Sequence, residues 1–303
     1  MRILVTGKKG QLGRSIKKIV NTYAEVDNSQ NLNDFIFVGR EELDLSDESL
    51  ITQYFDNNKF DIIINCAAYT HVDIAEQEPE LVNQINHLAV KYLATIASNQ
   101  QAILIHISTD YVFDGESDKS YKETDVPNPI NVYGRTKLAG EQALQTAMPM
   151  NALIIRTSWV YSEYGNNFVS TMLKLGKEQD ELAVVIDQLG SPTYATDLAK
   201  LILTIIKSKG FINHSQATEI YHYSNAGKIS WHDFAKQIFK TAKIDCKLNM
   251  IKSEEFQTLA KRPKNTCLDN SKVTETFGFT SLFWKESLAR CLIQIKDGLQ
   301  STI

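Results

Sequence analysis

The feature that most constrains the fold is a regular alternation of short apolar runs with helix-like stretches through the first half of the chain. Five runs are apolar almost without interruption: Ile3–Thr6, Phe35–Val38, Ile62–Cys66, Ile103–Ser108 and Leu153–Arg156. Strands that are buried on both faces of a parallel sheet have this continuous character, because both sides of each strand meet helices. The alternation therefore predicts an α/β fold with a Rossmann-type, doubly wound parallel sheet.

Helical stretches fill the gaps between these runs. They are predicted over Gln11–Thr22, Ser46–Asn57, Glu80–Ser98 and Val132–Ala147. Ser46 stands ahead of two acidic residues and is the expected N-cap of the second helix, because its hydroxyl can accept a hydrogen bond from a free N–H of the first turn.

The alternation weakens after about Trp159. Further helices are predicted over about Thr196–Lys207, Ser230–Ala242 and Trp284–Gly298, with one strand at Ile220–Ser224. We expect residues 1–160, together with about 190–212, to form the Rossmann-type domain. Residues 161–189 and 213–303 are expected to form a smaller α/β domain that covers the site.

Composition narrows the possible functions. The 303-residue chain has a net charge of −4, so nothing in the overall charge balance suggests a surface that binds nucleic acid. No apolar stretch reaches the roughly 20 residues of a membrane span, and the apolar start is shorter than the core of a signal peptide. The four cysteines are scattered, so neither a disulfide framework nor a zinc site is predicted. A cytoplasmic location is the simplest expectation.

A glycine triplet follows the first apolar run directly. Gly7, Gly10 and Gly13 lie between the first predicted strand and the first predicted helix. In that position a loop without side chains lets a dinucleotide pyrophosphate approach the backbone and the helix N-terminus, with Gln11 and Leu12 alongside. The alternative is that the glycines only allow close packing of helix on strand.

The end of the second apolar run bears on cofactor choice. Arg40 follows Val38 and Gly39, where an acidic residue would favour a free ribose 2′-hydroxyl and a cation favours a 2′-phosphate. Arg40 is equally consistent with a solvated ion pair to Glu41 or Glu42. We predict NADPH as the preferred cofactor, with NADH still usable. After the third run, the small residues Ala67 and Ala68, followed by Tyr69, would let the cofactor pass close by.

A candidate catalytic group comes from two further segments. Tyr133 and Lys137 form a Y-x-x-x-K motif, and on a helix this spacing puts both side chains on one face. A nearby ammonium would lower the pKa of the phenol and help it to exchange protons. Ser108 and Thr109 follow the fourth run, at the edge of the sheet where doubly wound proteins bind ligands. Alone, the Y-x-x-x-K motif would be better explained as a surface pair, and the Thr109 hydroxyl could be an N-cap or strand-end group; it is their occurrence together that favours catalysis.

Together these residues resemble the extended short-chain dehydrogenases/reductases and, within them, the dTDP-4-dehydrorhamnose reductase family. The resemblance covers nearly the whole chain. It rests on matches at Gly7–Gly13, Cys66–Asp73, Ser108–Phe113, Tyr133–Glu141, Arg156–Tyr161, Gly165–Phe168, Asp187–Thr193 and Arg262–Pro263.

The resemblance implies roles for individual residues. Tyr133 would be the proton donor, Lys137 its electrostatic partner and ribose ligand, and Thr109 the hydroxyl that tunes the phenol. Asp110 and Trp159 would contact the sugar, although Trp159 also suits an apolar core. Asp44 and Leu45 would contact the adenine, and residues 166–168 and Arg262 would face the nucleotide. The implied reaction is NADPH-dependent reduction of the 4-keto group of dTDP-4-dehydro-β-L-rhamnose, for surface polysaccharide.

Several alternatives stay open on the sequence. Some relatives form a dimer bridged by a metal on carboxylates; those carboxylates cannot be placed here, so no metal is predicted, and magnesium and a homodimer are left open. A nucleotide-sugar epimerase or dehydratase of the same superfamily would recycle its hydride. A third reading is a non-catalytic, NADP-binding regulatory subunit similar to that of methionine adenosyltransferase.

Overall fold

Six parallel strands form the central sheet of the computed structural model, which describes residues 1–26, 34–208 and 217–300. With strands numbered in chain order, they are β1 (Arg2–Thr6), β2 (Asp34–Val38), β3 (Ile62–Asn65), β4 (Ile103–Thr109), β5 (Ala152–Thr157) and β10 (Glu219–Tyr223). Their order across the sheet is β10-β5-β4-β3-β1-β2, with β2 and β3 on opposite sides of β1. Doubly wound folds bind ligands at such a switch point, outside the carboxyl ends of the strands. The predicted α/β, doubly wound fold is confirmed.

Helices cover both faces of this sheet. One face carries α1 (Gln11–Val26) and α8 (Ala195–Lys207), and the other carries α2 (Glu48–Asp56), α5 (Ala89–Gln100) and α6 (Val132–Ala147). Neighbouring residues of β1 show the two-sided burial, since Val5 lies in the core under α1 and Leu4 in the core under α5. This arrangement explains why the strands read as continuous apolar runs.

Smaller elements complete the chain. They are α3 (Val72–Ala75), α4 (Pro79–Asn83), β6 (Val160–Tyr161), α7 (Phe168–Glu178), β7 (Glu181–Val185), β8 (Leu189–Gly190), β9 (Thr193–Tyr194), β11 (Ile229–Ser230), α9 (Trp231–Ala242), β12 (Lys247–Ile251), α10 (Ser271–Phe277) and α11 (Trp284–Gln300). Helices α7, α9 and α11 pack around a separate apolar core that includes Val169, Phe234 and Leu288. Within the described ranges, no helix combines the length and apolar character needed to cross a bilayer.

The strand predicted at residues 220–224 belongs to the central sheet, so its assignment to the smaller domain was wrong. Strand β10 pairs with β5 in parallel along its length, and Tyr221 and Tyr223 are buried in the core under α1 and α8. Its tyrosines are therefore buried because they face the core beneath the helices, although the strand lies at the edge of the sheet. The predicted boundary near residues 212–213 lies outside the described residues, and the domain limits stay predictions.

Two helix predictions also differ from the structure. The stretch 80–98 is not one regular helix, because a π turn at Gln84–Leu88 separates α4 from α5. The N-cap of α2 is Asp47, whose carboxylate accepts hydrogen bonds from the N–H groups of Ser49 and Leu50. Ser46 instead donates to the carboxylate of Asp44, so its hydroxyl is occupied in the preceding turn.

Candidate active site

The glycine loop lies at the switch point of the sheet. Gly7 has a φ of +71°, a left-handed conformation that side chains resist, and a Cβ there would press on the backbone of Cys66 and Ala67 after β3. A Cβ at Gly13 would stand 2.4 Å from the Gly7 carbonyl oxygen, and the Gly10 N–H donates to that same oxygen at 2.9 Å. The bare loop thus leads directly into the N-terminus of α1, an arrangement that suits a pyrophosphate.

The two residues expected beside the pyrophosphate are fixed by their side chains elsewhere. The Gln11 amide donates to the Val160 carbonyl at 3.2 Å and accepts from Ser162 and Asn167. Leu12 is 8% exposed and packs in the core under α1. Both contacts anchor the first turn of α1, which leaves only the backbone of Gln11 and Leu12 for a ligand.

Three cations surround the edge of this loop, and each has a carboxylate partner. Lys8 pairs with Glu42, Lys9 pairs with Glu41, and Arg40 Nε lies 3.0 Å from Asp44 Oδ2. The alternative of an ion pair between Arg40 and Glu41 or Glu42 does not hold, because the loop lysines pair with both and Arg40 pairs with Asp44. The Arg40 side chain is 74% exposed, so its remaining donors reach solvent.

The other residues predicted to contact the cofactor follow β2 and β3. Asp44 also accepts from the Ser46 N–H, and Leu45 is buried in the core under α5. Ala67, Ala68 and Tyr69 are half-buried after β3. The structure brings the segment after β3 against the glycine loop. Whether these residues touch a cofactor stays a prediction.

The π turn holds this segment in place. The Tyr69 N–H donates to Asn86 Oδ1 at 2.9 Å, and Asn86 Nδ2 donates to the Tyr69 carbonyl at 3.0 Å. Asn86 lies within the π turn, which directs its side chain to the backbone of residue 69. Such π insertions are frequent at functional sites.

Tyr133 and Lys137 lie one turn apart on α6, beside the end of β4. The helix is capped by Asn131, whose side chain accepts from the Gly134 N–H at 2.7 Å. Tyr133 is half-buried and its ring meets that of Tyr111 edge-on, with centroids 5.8 Å apart. The sequence-predicted group is therefore assembled at the carboxyl edge of the sheet.

Thr109 and Asp110 stand next to the Tyr133 phenol. Thr109 donates to Asp110 Oδ1 at 3.0 Å and also contacts the phenol. Burial raises the pKa of Tyr133, and the contact with Thr109 opposes this in part. Burial also raises the pKa of Asp110 to about 7, and its contacts with Thr266 and Thr109 oppose this in part. The site thus groups two acids that hold their protons unusually well.

Lys137 Nζ is engaged by groups other than the Tyr133 phenol, and its role as the electrostatic partner of Tyr133 stays a prediction. Its ammonium nitrogen donates to the Ile107 carbonyl at 2.7 Å and lies 3.2 Å from His106 Nε2. Burial lowers the pKa of Lys137 itself to about 8. The lysine is held under the sheet edge by groups that sequence reasoning had not singled out.

Trp159 has an unusual setting for a core tryptophan. Its φ is +46°, a conformation that bulky residues rarely adopt, and its indole stacks face to face on Trp231, with centroids 3.4 Å apart. The ring remains half-buried between the two parts of the chain. This geometry suits a flat ligand-facing surface, but sugar contact stays a prediction.

Two buried or half-buried ion pairs escaped the sequence reasoning about the site. Glu141 on α6 pairs with Arg156 on β5 and accepts from Ser108, and Asp73 pairs with Arg262. In the sequence, these pairs were indicated only by a charged residue within a motif or within an apolar strand. Asn167 caps α7, and its place near the nucleotide stays a prediction. Among the described residues, no group of three or more His, Cys, Asp or Glu is placed to hold a metal ion.

A glycine loop at the switch point of a doubly wound sheet, with a tyrosine and a lysine one turn apart beside it, defines a Rossmann-type oxidoreductase. A family model described as the RmlD substrate binding domain matches residues 1–296. The dTDP-4-dehydrorhamnose reductase of Aggregatibacter actinomycetemcomitans is 41% identical over 95% of this chain and 97% of that protein. This chain belongs to the family of dTDP-4-dehydrorhamnose reductases.

Solved structures of the family agree over the whole length. The dTDP-4-dehydrorhamnose reductase of Clostridium acetobutylicum is 39% identical, with a TM-score of 0.89 over 98% of this chain and 100% of that one. That of Bacillus anthracis, solved in complex with NADP, is 38% identical, with a TM-score of 0.86 over 97% of this chain and 99% of that one.

Proposed function

We propose that this chain reduces the 4-keto group of dTDP-4-dehydro-β-L-rhamnose to give dTDP-L-rhamnose. The observation that carries the proposal is the grouping of the half-buried Tyr133 with the buried Thr109 and Asp110 at the end of β4, in a chain of this family. An acid beside the sheet edge is what reduction of a ketone requires, since the oxygen must gain a proton as the carbon gains a hydride.

The residues divide the work of this reaction. The reduced nicotinamide, when bound, supplies the hydride. Tyr133 gives its phenolic proton to the sugar oxygen, and its raised pKa keeps that proton in place at neutral pH until charge develops on the oxygen. Thr109 orients the phenol, and Asp110, which accepts from Thr109, is the proposed contact to the sugar. Trp159 offers a flat apolar face to the sugar.

We propose NADPH as the preferred cofactor. The bare glycine loop fits a pyrophosphate, and Arg40 places exposed donors beside the expected ribose position. The NADP in the Bacillus anthracis relative supports this choice. The carboxylates of Glu42 and Glu41, which pair with Lys8 and Lys9, reduce the positive potential around the glycine loop. NADH therefore remains a usable alternative.

The surroundings of the reaction follow from the same proposal. A reducing cytoplasm suits Cys66, Cys246, Cys267 and Cys291, which are all free thiols.

The epimerase or dehydratase and the regulatory subunit are less well supported, because the relatives above carry the name of the reductase.

The experiment is a comparison of Tyr133→Phe with the wild type, using the keto-sugar nucleotide and NADPH. Phenylalanine keeps the ring and its contact with Tyr111, but it removes the proton. We expect turnover to fall by roughly 10²–10⁴-fold, with cofactor affinity changed little. Tyr23→Phe, at an exposed position on α1, is the matched control and should be fully active. Near-normal turnover of Tyr133→Phe would refute the proposed acid.

A further inference from the structure

The Gln11 side chain joins the start of α1 to a segment that lies 149 to 156 residues further along the chain. Its Nε2 donates to the Val160 carbonyl at 3.2 Å, and its Oε1 accepts from Ser162 Oγ at 2.9 Å and from Asn167 Nδ2 at 3.1 Å. A glutamine amide has two donor hydrogens and two acceptor positions, so most of its hydrogen-bonding capacity is filled within this segment. The half-buried Gln11 is therefore a specific link between two distant parts of the chain.

The far end of this segment, residues 160–167, is the start of α7. Asn167 is the N-cap of α7, because its Oδ1 accepts from the Ser170 N–H at 3.1 Å. Besides Gln11 Oε1, its Nδ2 reaches the carbonyls of Ser162 and Tyr164, at 2.9 Å and 3.2 Å. The Gln11 oxygen is thus part of the turn that begins α7, a helix of the separate apolar core.

The near end of the segment is Val160, which directly follows Trp159. Trp159 has a φ of +46°, and a bulky residue keeps such a conformation only where the surrounding structure holds it. One restraint is the Thr193 N–H, which donates to the Trp159 carbonyl at 3.2 Å. Another is the Gln11 amide, which holds the Val160 carbonyl. Gln11 therefore helps to fix Trp159, the residue proposed to face the sugar.

Two further side chains of α1 contact the same segment. The Arg14 guanidinium lies 4.0 Å from the centre of the Tyr164 ring. Lys18 Nζ lies 3.2 Å from Glu163 Oε1. With Gln11 these side chains follow the spacing of one helix face, so one face of α1 carries the segment. Gln11 differs from the other two because it lies in the first turn, whose N–H groups have no acceptor within the helix and face the expected pyrophosphate.

We propose that Gln11 is a positioning residue that couples the cofactor site to the sugar site. Its backbone N–H binds the pyrophosphate, while its side chain holds the residue after Trp159 and the start of α7. A ligand that orders the first turn of α1 also orders the 160–167 segment, so the second ligand loses less conformational freedom on binding. Such coupling is reciprocal, and each ligand tightens the binding of the other by the same factor. The coupling rests on the proposed function, because it joins the two ligands of that reaction.

The test measures the dissociation constant of dTDP-L-rhamnose by isothermal titration calorimetry, with and without saturating NADPH. These ligands are the product and the reduced cofactor, so they bind together without reacting. For the wild type we expect NADPH to tighten the binding of dTDP-L-rhamnose by about five- to tenfold. Gln11→Met keeps the backbone N–H and the approximate length of the side chain but loses the amide. In this variant we expect the factor to fall to about twofold or less, with the affinity for NADPH alone changed little.

Two further variants accompany Gln11→Met. Lys18→Met is the matched control, because it removes a contact to the same segment two turns away from the glycine loop, and it should keep the wild-type factor. Ser162→Ala removes a donor to Gln11 from the other side and should lower the factor, so it decides if Gln11→Met does not fold. A loss of stability alone weakens the binding of each ligand but does not remove the factor between them.

The coupling would be overturned if NADPH had no effect on the wild type, or if the variants without the Gln11 contact kept the wild-type factor. An equal loss in Lys18→Met would overturn it as well, because the effect would then not belong to Gln11. Failure of the wild type to bind dTDP-L-rhamnose under either condition would refute the proposed function, and the coupling with it.

Discussion

Arg40 shows how one exposed side chain bears on cofactor choice. Its Nε is held by Asp44, and 74% of the side chain is exposed, so it can reach a 2′-phosphate only through solvent-facing donors. Charge-assisted contacts lose much of their strength in that setting. Glu41 and Glu42 lie nearby, where they pair with Lys9 and Lys8 of the glycine loop. A moderate preference for NADPH is therefore expected rather than a strict one.

Arg40→Ala tests that expectation. We predict that the ratio of kcat/KM for NADPH to that for NADH falls by about three- to tenfold, because only the 2′-phosphate loses a partner. Lys240→Ala removes an equal charge from an exposed position on α9 and should leave the ratio unchanged. A wild type that prefers NADH, or a ratio that Arg40→Ala does not alter, would count against the assignment.

Asp110 gives the stability of the fold a distinctive pH dependence. Its carboxyl titrates near pH 7 in the folded chain, because of burial, and near pH 3.9 when unfolded, at about the usual value. Between these values the folded state binds more protons. The free energy of unfolding therefore falls as pH rises through this window, by up to about 1.4 kcal/mol per pH unit from this group.

Asp110→Asn should remove this contribution while keeping an oxygen for Thr109. We expect the free energy of unfolding of the variant, minus that of the wild type, to be larger at about pH 8 than at about pH 5. Urea unfolding of both proteins at both pH values measures this difference. The exposed Asp118→Asn is the control and should track the wild type. The same difference between Asp110→Asn and wild type at both pH values would show that the carboxyl is not perturbed.

Motif residues and buried polar residues differ in how far the sequence reveals them. Tyr133, Lys137 and Thr109 were predictable because their spacing and their place after a strand carry chemistry. His106 interrupts an apolar strand and gave only a weak signal, since its partners Asn65 and Lys137 come from distant segments. The protonation states of Tyr133 and Lys137 depend on burial, which spacing alone does not provide.

The π turn is a secondary-structure element that the apolar periodicity of the sequence did not predict. The apolar spacing of residues 80–98 predicted one helix, but the turn at Gln84–Leu88 inserts a residue so that Asn86 can bind the backbone of Tyr69. The same turn brings the Asn86 carbonyl oxygen against α6, where a Cβ on Gly140 would stand 2.2 Å from it. The requirement for this contact comes from packing between helices and leaves no local signature.

Gly140→Ala tests this contact. The added methyl group cannot fit without moving the π turn or α6, and overpacking of this kind costs about 1–3 kcal/mol of unfolding free energy. Gly298→Ala, where a Cβ would meet nothing within 4 Å, serves as the matched control and should be neutral or slightly stabilising. Wild-type stability of Gly140→Ala in urea unfolding would mean that the two helices are not in close contact.

Single buried or half-buried side chains connect segments of the chain that are distant in sequence. Asp197 on α8 accepts from Asn225, Ser287 and Arg290, which join the end of the sheet to α11. Asp73 and Arg262 likewise fix a late loop beside Tyr111. The sequence predicted the sheet but misplaced β10, because a lone apolar run does not reveal which sheet it joins.

Net reduction of the sugar distinguishes a reductase from an epimerase, a dehydratase or a regulatory subunit, and the stoichiometry of one reaction measures it. The purified protein is given dTDP-4-dehydro-β-L-rhamnose and NADPH; oxidised cofactor is followed by absorbance and the sugar nucleotide by chromatography. We expect one NADPH to be oxidised for each dTDP-L-rhamnose formed. An altered sugar without net oxidation of NADPH would indicate an epimerase or dehydratase. Cofactor binding without any conversion of the sugar would indicate a regulatory subunit. Either result would show that the chain is not a reductase.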